Sequence, residues 1–289
     1  VEVITTRHEW REACEERRRG GARLGFVPTM GALHEGHASL FRTAADHCDV
    51  VAASIFVNPL QFGDPSDLER YPRSFEADNE LCEAAGVSLL FVPEVTEVYP
   101  DFPTLPETRV HVAGPSLGFE GSDRPGHFDG VATVVTLLFS LTGPCRAYFG
   151  EKDYQQLCVV TAMVKDLGLP IEVTGCPTVR DADGLALSSR NRRLSQQGRG
   201  AASVLHRALE AGRLALADGQ NPPFAALAMA REVEAEPQAT LSYASCVDPQ
   251  TLTPLRSLAP GAAARLLLAA EIDGVRLLDN AAAVAGRPS

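Results

Sequence analysis

Short apolar runs alternate with segments of helical spacing through the first 175 residues, and that alternation leaves the chain few ways to fold. The runs fall at 23–27, 50–56, 87–91, 146–149 and 171–174, and the helical segments at 36–48, 74–85, 130–141 and 153–167. Strands separated by helices imply parallel pairing, because a strand can return alongside its predecessor only by crossing a face of the sheet. The expected fold is therefore α/β, a Rossmann-like doubly wound parallel sheet whose ligands sit at the carboxyl ends of the strands.

The pattern changes after Pro177. Helical spacing covers 197–217 and 223–234, then strand-like runs cover 240–247, 265–272 and 275–280, with Gly274 suited to a tight hairpin. A second, smaller α+β domain is expected at 177–289, acting as a lid on a first domain at 1–176. The stretch 93–130, rich in Pro, Gly and acidic residues, reads as a long irregular connection able to serve as a flap or a dimer contact. A chain of 289 residues with 45% hydrophobic content is long enough for both domains.

Chemistry concentrates at the corner VPTMGALHEGH, residues 27–37, where a buried run gives way to a helix. Gly31 and Gly36 free the backbone, and His34 and His37 stand at the helix start, where N–H groups and the helix dipole favour an anion. Zinc of the metalloprotease type fits poorly, because the histidines are three apart instead of four and Gly36 separates Glu35 from His37. A Walker loop fails too, since His37 and Ala38 replace the lysine and hydroxyl residue. Two further clusters supply anion chemistry: GEKDYQQL at 150–157, again at a strand-to-helix corner, and LALSSRN at 185–191. A lysine point charge, a planar guanidinium and neutral hydroxyls suit a polyphosphate whose charge moves during reaction.

Thirty-seven acidic against 26 basic residues give a formal charge of -11, which disfavours a nucleic-acid partner such as tRNA. Seven scattered cysteines without a CxxC pair suit reduced thiols. No apolar run is long enough for a membrane span and no basic-then-apolar leader stands before the first strand, so the cytoplasm is expected.

Together the segments VPTMGALHEGH, SIFVNPLQFG, YPR, RPGHFDGVATVV, YFGEKDYQQL and PTVRDADGLALSSRN resemble, in family order, the pantothenate synthetases, the pantoate–β-alanine ligases of the HIGH-motif nucleotidyltransferases. The resemblance implies ATP-dependent condensation of pantoate with β-alanine through a pantoyl adenylate, releasing pyrophosphate and AMP. It implies an ATP set of Met30, Gly31, Ala32, Leu33, His34, Glu35, Gly36 and His37, then Gly150, Glu151, Lys152 and Asp153, then Val179, Leu187, Ser188, Ser189 and Arg190. Within it His34, Lys152, Ser188, Ser189 and Arg190 take the phosphates, Gly150 and Asp153 the ribose, the Val179 backbone the adenine, and Met30 the floor. His37 is the residue of direct chemistry, with His34 and Lys152 beside it as catalytic groups. Gln61 and Gln156 resemble the pair that holds pantoate, with Asn58, Tyr71, Arg124 and His127 contributing. ATP implies Mg²⁺, for which Asp78 is the expected protein ligand. A homodimer is also implied.

Departures from the family pattern are Arg193, in place of a tyrosine and expected to point to solvent, and the helix start QQG at 196–198, where Gly198 is expected to loosen the first turn by about 1 kcal/mol relative to alanine. Another nucleotidyltransferase, or a nucleotide-binding module without catalysis, would share the histidine corner. The paired glutamines and the acidic charge argue against the first, and the intact polar set against the second.

Overall fold

The computed structural model describes residues 1–63 and 68–286. They form two compact units, one of residues 1–151 and 155–177, the other of 152–154 and 178–289.

The first unit is built on a six-stranded parallel sheet: β1 (Glu2–Ile4), β2 (Leu24–Thr29), β3 (Val50–Ile55), β4 (Leu89–Phe91), β5 (Cys145–Gly150) and β6 (Ile171–Cys176), in the order β1-β4-β3-β2-β5-β6. All pairs are parallel; outward from β2 come β3 and β4, with β1 at that edge, and outward from β5 comes β6. The switch point therefore lies between β2 and β5, the place where such sheets open a crevice for ligands.

The helices are α1 (Arg7–Arg19), α2 (Glu35–His47), α3 (Phe75–Ala84), the short α4 (Val95–Val98) and α5 (Phe119–Asp123), α6 (His127–Thr142) and α7 (Tyr154–Asp166). They cover both faces of the sheet. On one, Trp10, Phe26, Phe91, Phe139 and Val160 share a core; on the other, Val27, Phe41, Ala44, Leu90 and Tyr148 share a second. β1 and α1 were not anticipated. In RHEWREACEERRR only Trp10 and Cys14 are buried, a stripe too narrow to read against so many charges. Trp10 anchors the helix, stacking on Phe91 at 5.1 Å and donating its indole N–H to Thr142 Oγ1 at 3.1 Å.

The stretch 93–130 is better packed than its composition suggested. Val112, Ser116 and Glu120 are buried, and the Gln155 side chain binds its backbone, donating to Pro115 O at 3.0 Å and accepting from the Glu120 N–H at 3.1 Å. Its later part, 112–120, is thus pinned to α7.

In the second unit, α8 (Gln196–Ala201), α9 (Val204–Ala217) and α10 (Pro222–Glu234) pack on an antiparallel sheet of β7 (Ala239–Val247), β8 (Ala263–Ile272) and β9 (Val275–Val284). The stretch expected as a single helix at 197–217 is broken at 202–203. Asp273 and Gly274, both at positive φ, make the two-residue turn joining β8 to β9. Gly198 has a steric reason beyond the expected propensity cost: a Cβ there would lie 1.8 Å from Asp273 Oδ2, an oxygen that already accepts the N–H and hydroxyl of Ser195. Glycine is what lets that carboxylate cap the turn. Arg193 is exposed, as expected.

Candidate active site

The loop after β2 is shaped by a buried carboxylate. Gly31 and Ala32 both have positive φ, 81° and 51°, so successive N–H groups turn toward one point. Asp78, 3% exposed on α3, occupies that point, accepting from Ala32 N–H through Oδ2 and from Leu33 N–H through Oδ1, each at 2.8 Å, and from Ser74 Oγ at 3.2 Å. A side chain at Gly31 would meet both Asp78 Oδ2 and Ile55 at 3.0 Å.

Two expectations are corrected here. Asp78 does not fit the role of a Mg²⁺ ligand, because both of its oxygens hold buried backbone donors. Ala32 and Leu33 likewise give their N–H groups to Asp78, which removes them as donors to a nucleotide. Among the described residues no group of three or more His, Cys, Asp or Glu side chains is arranged to hold a metal ion.

The loop delivers His34 as the N-cap of α2. Gly36 N–H donates to His34 Nδ1 at 3.1 Å, and His34 N–H donates to His37 Nδ1 at 3.3 Å, so the two imidazoles form a reciprocal capping box. The rings lie 4.2 Å apart between centroids. Because each Nδ1 accepts, the neutral form of each ring carries its proton on Nε2. This refines the expected anion site: the N–H of Gly36 and that of His37, which bonds His34 O at 2.8 Å, are already engaged within the protein. Glu35 pairs with Arg42 on the exposed face of α2.

A second cluster of predicted residues lies in the same unit. Gln61 is 6% exposed, in a short turn over Pro59–Gln61; its Nε2 reaches Met30 Sδ at 2.8 Å and its Oε1 accepts from Asn58 Nδ2 at 3.1 Å. His127 Nδ1 donates to Gln61 O at 2.9 Å and its Nε2 faces Arg124 Nη1 at 3.3 Å, so Met30, Gln61, Arg124 and His127 are brought together. Gly130 makes this possible. A Cβ on it would stand 2.4 Å from Leu60 O, so only glycine lets α6 lie against the turn.

Asn58 is corrected from substrate contact to scaffold. It is buried, donating to Gly130 O at 3.0 Å and accepting from the Tyr99 hydroxyl at 2.9 Å and Leu60 N–H at 3.3 Å. Burial pushes the Tyr99 phenol well above its ordinary range, so it stays a donor. Tyr71 is half-buried, edge-on to Phe62. Gln156 is half-buried on α7, next to the loop-binding Gln155.

Lys152, Asp153 and Tyr154 belong to the C-terminal unit. There a cleft is lined by Lys152, Ser188, Arg190, Asn191 and Asp279 among others, which places the lysine and part of the serine–arginine loop together. Ser188 caps the turn Ser189–Arg193, its Oγ accepting from Arg190 N–H at 3.3 Å, and Asn191 donates to Ala186 O at 3.0 Å. The Lys152 ammonium is 3.3 Å from Asp153 Oδ1. Val179 and Leu187 are joined by a 2.9 Å backbone bond. Gly150, which ends β5, and Glu151, which opens the turn Glu151–Asp153, are half-buried in the first unit.

The Pantoate-beta-alanine ligase family model matches residues 2–282. The chain belongs to that family. As a pantoate–β-alanine ligase family enzyme, it is 49% identical over 279 residues to pantothenate synthetase from Cereibacter sphaeroides, covering 96% of this chain and 98% of the relative. It is 51% identical over 258 residues to the Thermus thermophilus enzyme, covering 89% and 92%. A crystal structure of pantothenate synthetase from Thermus thermophilus matches with a TM-score of 0.89 at 49% identity, covering 97% of this chain and 99% of that one. Pantoate-beta-alanine ligase from Francisella tularensis, crystallised with β,γ-ATP and β-alanine, matches with a TM-score of 0.77 at 33% identity, covering 97% of each chain.

Sequence reasoning passed over four polar residues near Lys152 and its cleft, Arg180, Arg265, Asp279 and Asn280. Arg180 and Asp279 form a bidentate pair at 2.6 and 2.9 Å, and Arg265 and Asn280 bind each other; the signals were the arginine within PTVRDADG and the polar DN pair ending the apolar run VRLLDN.

Proposed function

We propose that the chain condenses pantoate with β-alanine at the expense of ATP in two steps. A pantoate carboxylate oxygen attacks the α-phosphorus, pyrophosphate leaves, and the β-alanine amine then attacks the acyl carbon of pantoyl adenylate, expelling AMP. The protein forms no covalent bond; it aligns two anions and neutralises the charge that moves onto pyrophosphate.

His34, Lys152, Ser188, Ser189 and Arg190 hold the phosphates, and Gly150 and Asp153 the ribose. The Val179 backbone reads adenine, and Gln61 and Gln156 hold pantoate over Met30, with Tyr71, Arg124 and His127 around them. The observation that carries the reading is the mutual capping of His34 and His37, in which each neutral ring accepts through Nδ1 and so carries its proton on Nε2. His37 then donates to an α-phosphate oxygen as negative charge builds there. Mg²⁺, if it accompanies the nucleotide, would neutralise phosphate charge there without a protein ligand from Asp78, whose oxygens are engaged. We further propose a cytoplasmic homodimer; no helix among the described residues is long and apolar enough to cross a membrane.

The test is exchange of labelled pyrophosphate into ATP with pantoate present and β-alanine absent. Pantoate-dependent exchange is expected, and exchange that ignores pantoate or requires a different acid would end the reading.

A further inference from the structure

Lys152 projects from a three-residue turn between β5 and α7, and such a turn has little to hold it in one place. The C-terminal unit, to which Lys152, Asp153 and Tyr154 belong, supplies what is missing. Asn280, 3% exposed on β9, donates through Nδ2 to the Lys152 carbonyl at 2.8 Å. Its Oδ1 accepts from Arg265 Nε at 2.7 Å and also from Nη2 of the same guanidinium. With both ends engaged the amide has one orientation, since a flip would turn its NH₂ against the guanidinium.

Arg265, also buried, sets its Cζ over the Tyr154 ring at 3.9 Å from the centroid, and Tyr154 donates its hydroxyl to Pro249 O at 3.0 Å. The turn is thus gripped at Lys152 and again two residues later. Asn280 is itself held, its carbonyl accepting from Arg180 Nη2 at 3.3 Å while Arg180 pairs with Asp279. A guanidinium is expensive to bury, and apolar residues of the same size often pack as stably, so a buried Arg–Asn pair aimed at one backbone carbonyl is poorly accounted for by stability alone.

The geometry points to Asn280, backed by Arg265, as the positioning residue for Lys152, holding the turn so that the ammonium meets the ATP phosphates. This rests on the reading of Lys152 as a phosphate ligand. A misplacement of about 1 Å in such a group can cost on the order of 10²-fold in rate.

The experiment is a double-mutant cycle in pantoate-dependent pyrophosphate exchange. Asn280→Asp keeps the acceptor for Arg265 but sets an oxygen against the Lys152 carbonyl. Alone it is expected to lower kcat about 10- to 100-fold with the KM for pantoate unchanged. In a Lys152→Ala background it is expected to change nothing further, because the group it positions is gone. A silent Asn280→Asp, or the same fold-loss in both backgrounds, overturns the positioning role and leaves Lys152 as assigned. Full activity in Lys152→Ala overturns the phosphate reading, and the proposal with it. Should Asn280→Asp fail to fold, Arg265→Lys, which keeps a charged donor to Asn280 but loses the second bond and the plane over Tyr154, is read through the same cycle against the same outcomes.

Discussion

Replacing Asp78 with asparagine separates its two possible roles. The carboxylate accepts two buried backbone N–H groups at 2.8 Å, and bonds of that kind to a charged acceptor are worth about 1.5–3 kcal/mol each. Asparagine keeps one acceptor oxygen and sets an NH₂ against the other donor, so one bond is lost and a buried N–H is left unsatisfied. A loss of about 2–4 kcal/mol follows, a large share of a typical domain's margin. The clamp also holds Ala32 at a φ of 51°, a left-handed conformation that costs a residue with a Cβ about 1–2 kcal/mol, so releasing it lets the loop relax and carries His34 with it. Urea unfolding followed through Trp10, the single tryptophan and buried in the same unit, reads the stability term. Pyrophosphate exchange reads the second effect, expected as a lower rate with an unchanged Mg²⁺ requirement. A variant of wild-type stability that needs more Mg²⁺ would refute the clamp and restore Asp78 as a metal ligand.

His37→Asn retains an acceptor for the His34 N–H and removes the Nε2 donor; it should keep the wild-type unfolding midpoint yet lose about 10²–10⁴ in exchange rate, and near-normal exchange would take His37 out of the chemistry. Gly198→Ala should lower the melting temperature despite its better helix propensity, because the bonds from Ser195 to Asp273 are worth about 1–3 kcal/mol against about 1 kcal/mol gained; an equal or raised value by calorimetry would contradict the contact. Burial pushes the Cys14 and Cys82 thiols up to about 12 from 9.0. Above pH 9 the unfolded chain therefore releases protons that the folded chain retains, and stability falls as pH rises from 9 toward 12, by roughly 1 kcal/mol for each thiol between pH 9 and 10. Urea midpoints at pH 8 and pH 10 test this, and equal midpoints would place both thiols in contact with water.

The residues proposed to carry chemistry were legible because their signals are local. A strand, a glycine turn and a helix start lie within eleven residues at the histidine corner, and the sheet's switch point falls beside it because β2 and β5 are neighbours. The residues that hold the chemistry in place were not legible, because each acts across a long separation. Asp78 lies 46 residues from the N–H of Ala32, and Asn280 lies 128 from the carbonyl it binds. A carboxylate near a helix start reads the same whether it will meet a metal or fill a ring of N–H groups, and the positive φ at Ala32, which decides between them, has no mark in an alanine. Gln155 and Gln156 pose the same problem: adjacent and identical, they differ only in that helical pitch turns the first into the protein, where it binds a connection 35 to 40 residues away. Motif spacing therefore finds donors and acceptors, while their partners emerge only once the chain has closed on itself. Asn58 marks the boundary between the two, a side chain correctly placed beside pantoate's expected glutamine and yet filled by Tyr99 and Gly130, residues 41 and 72 positions further on.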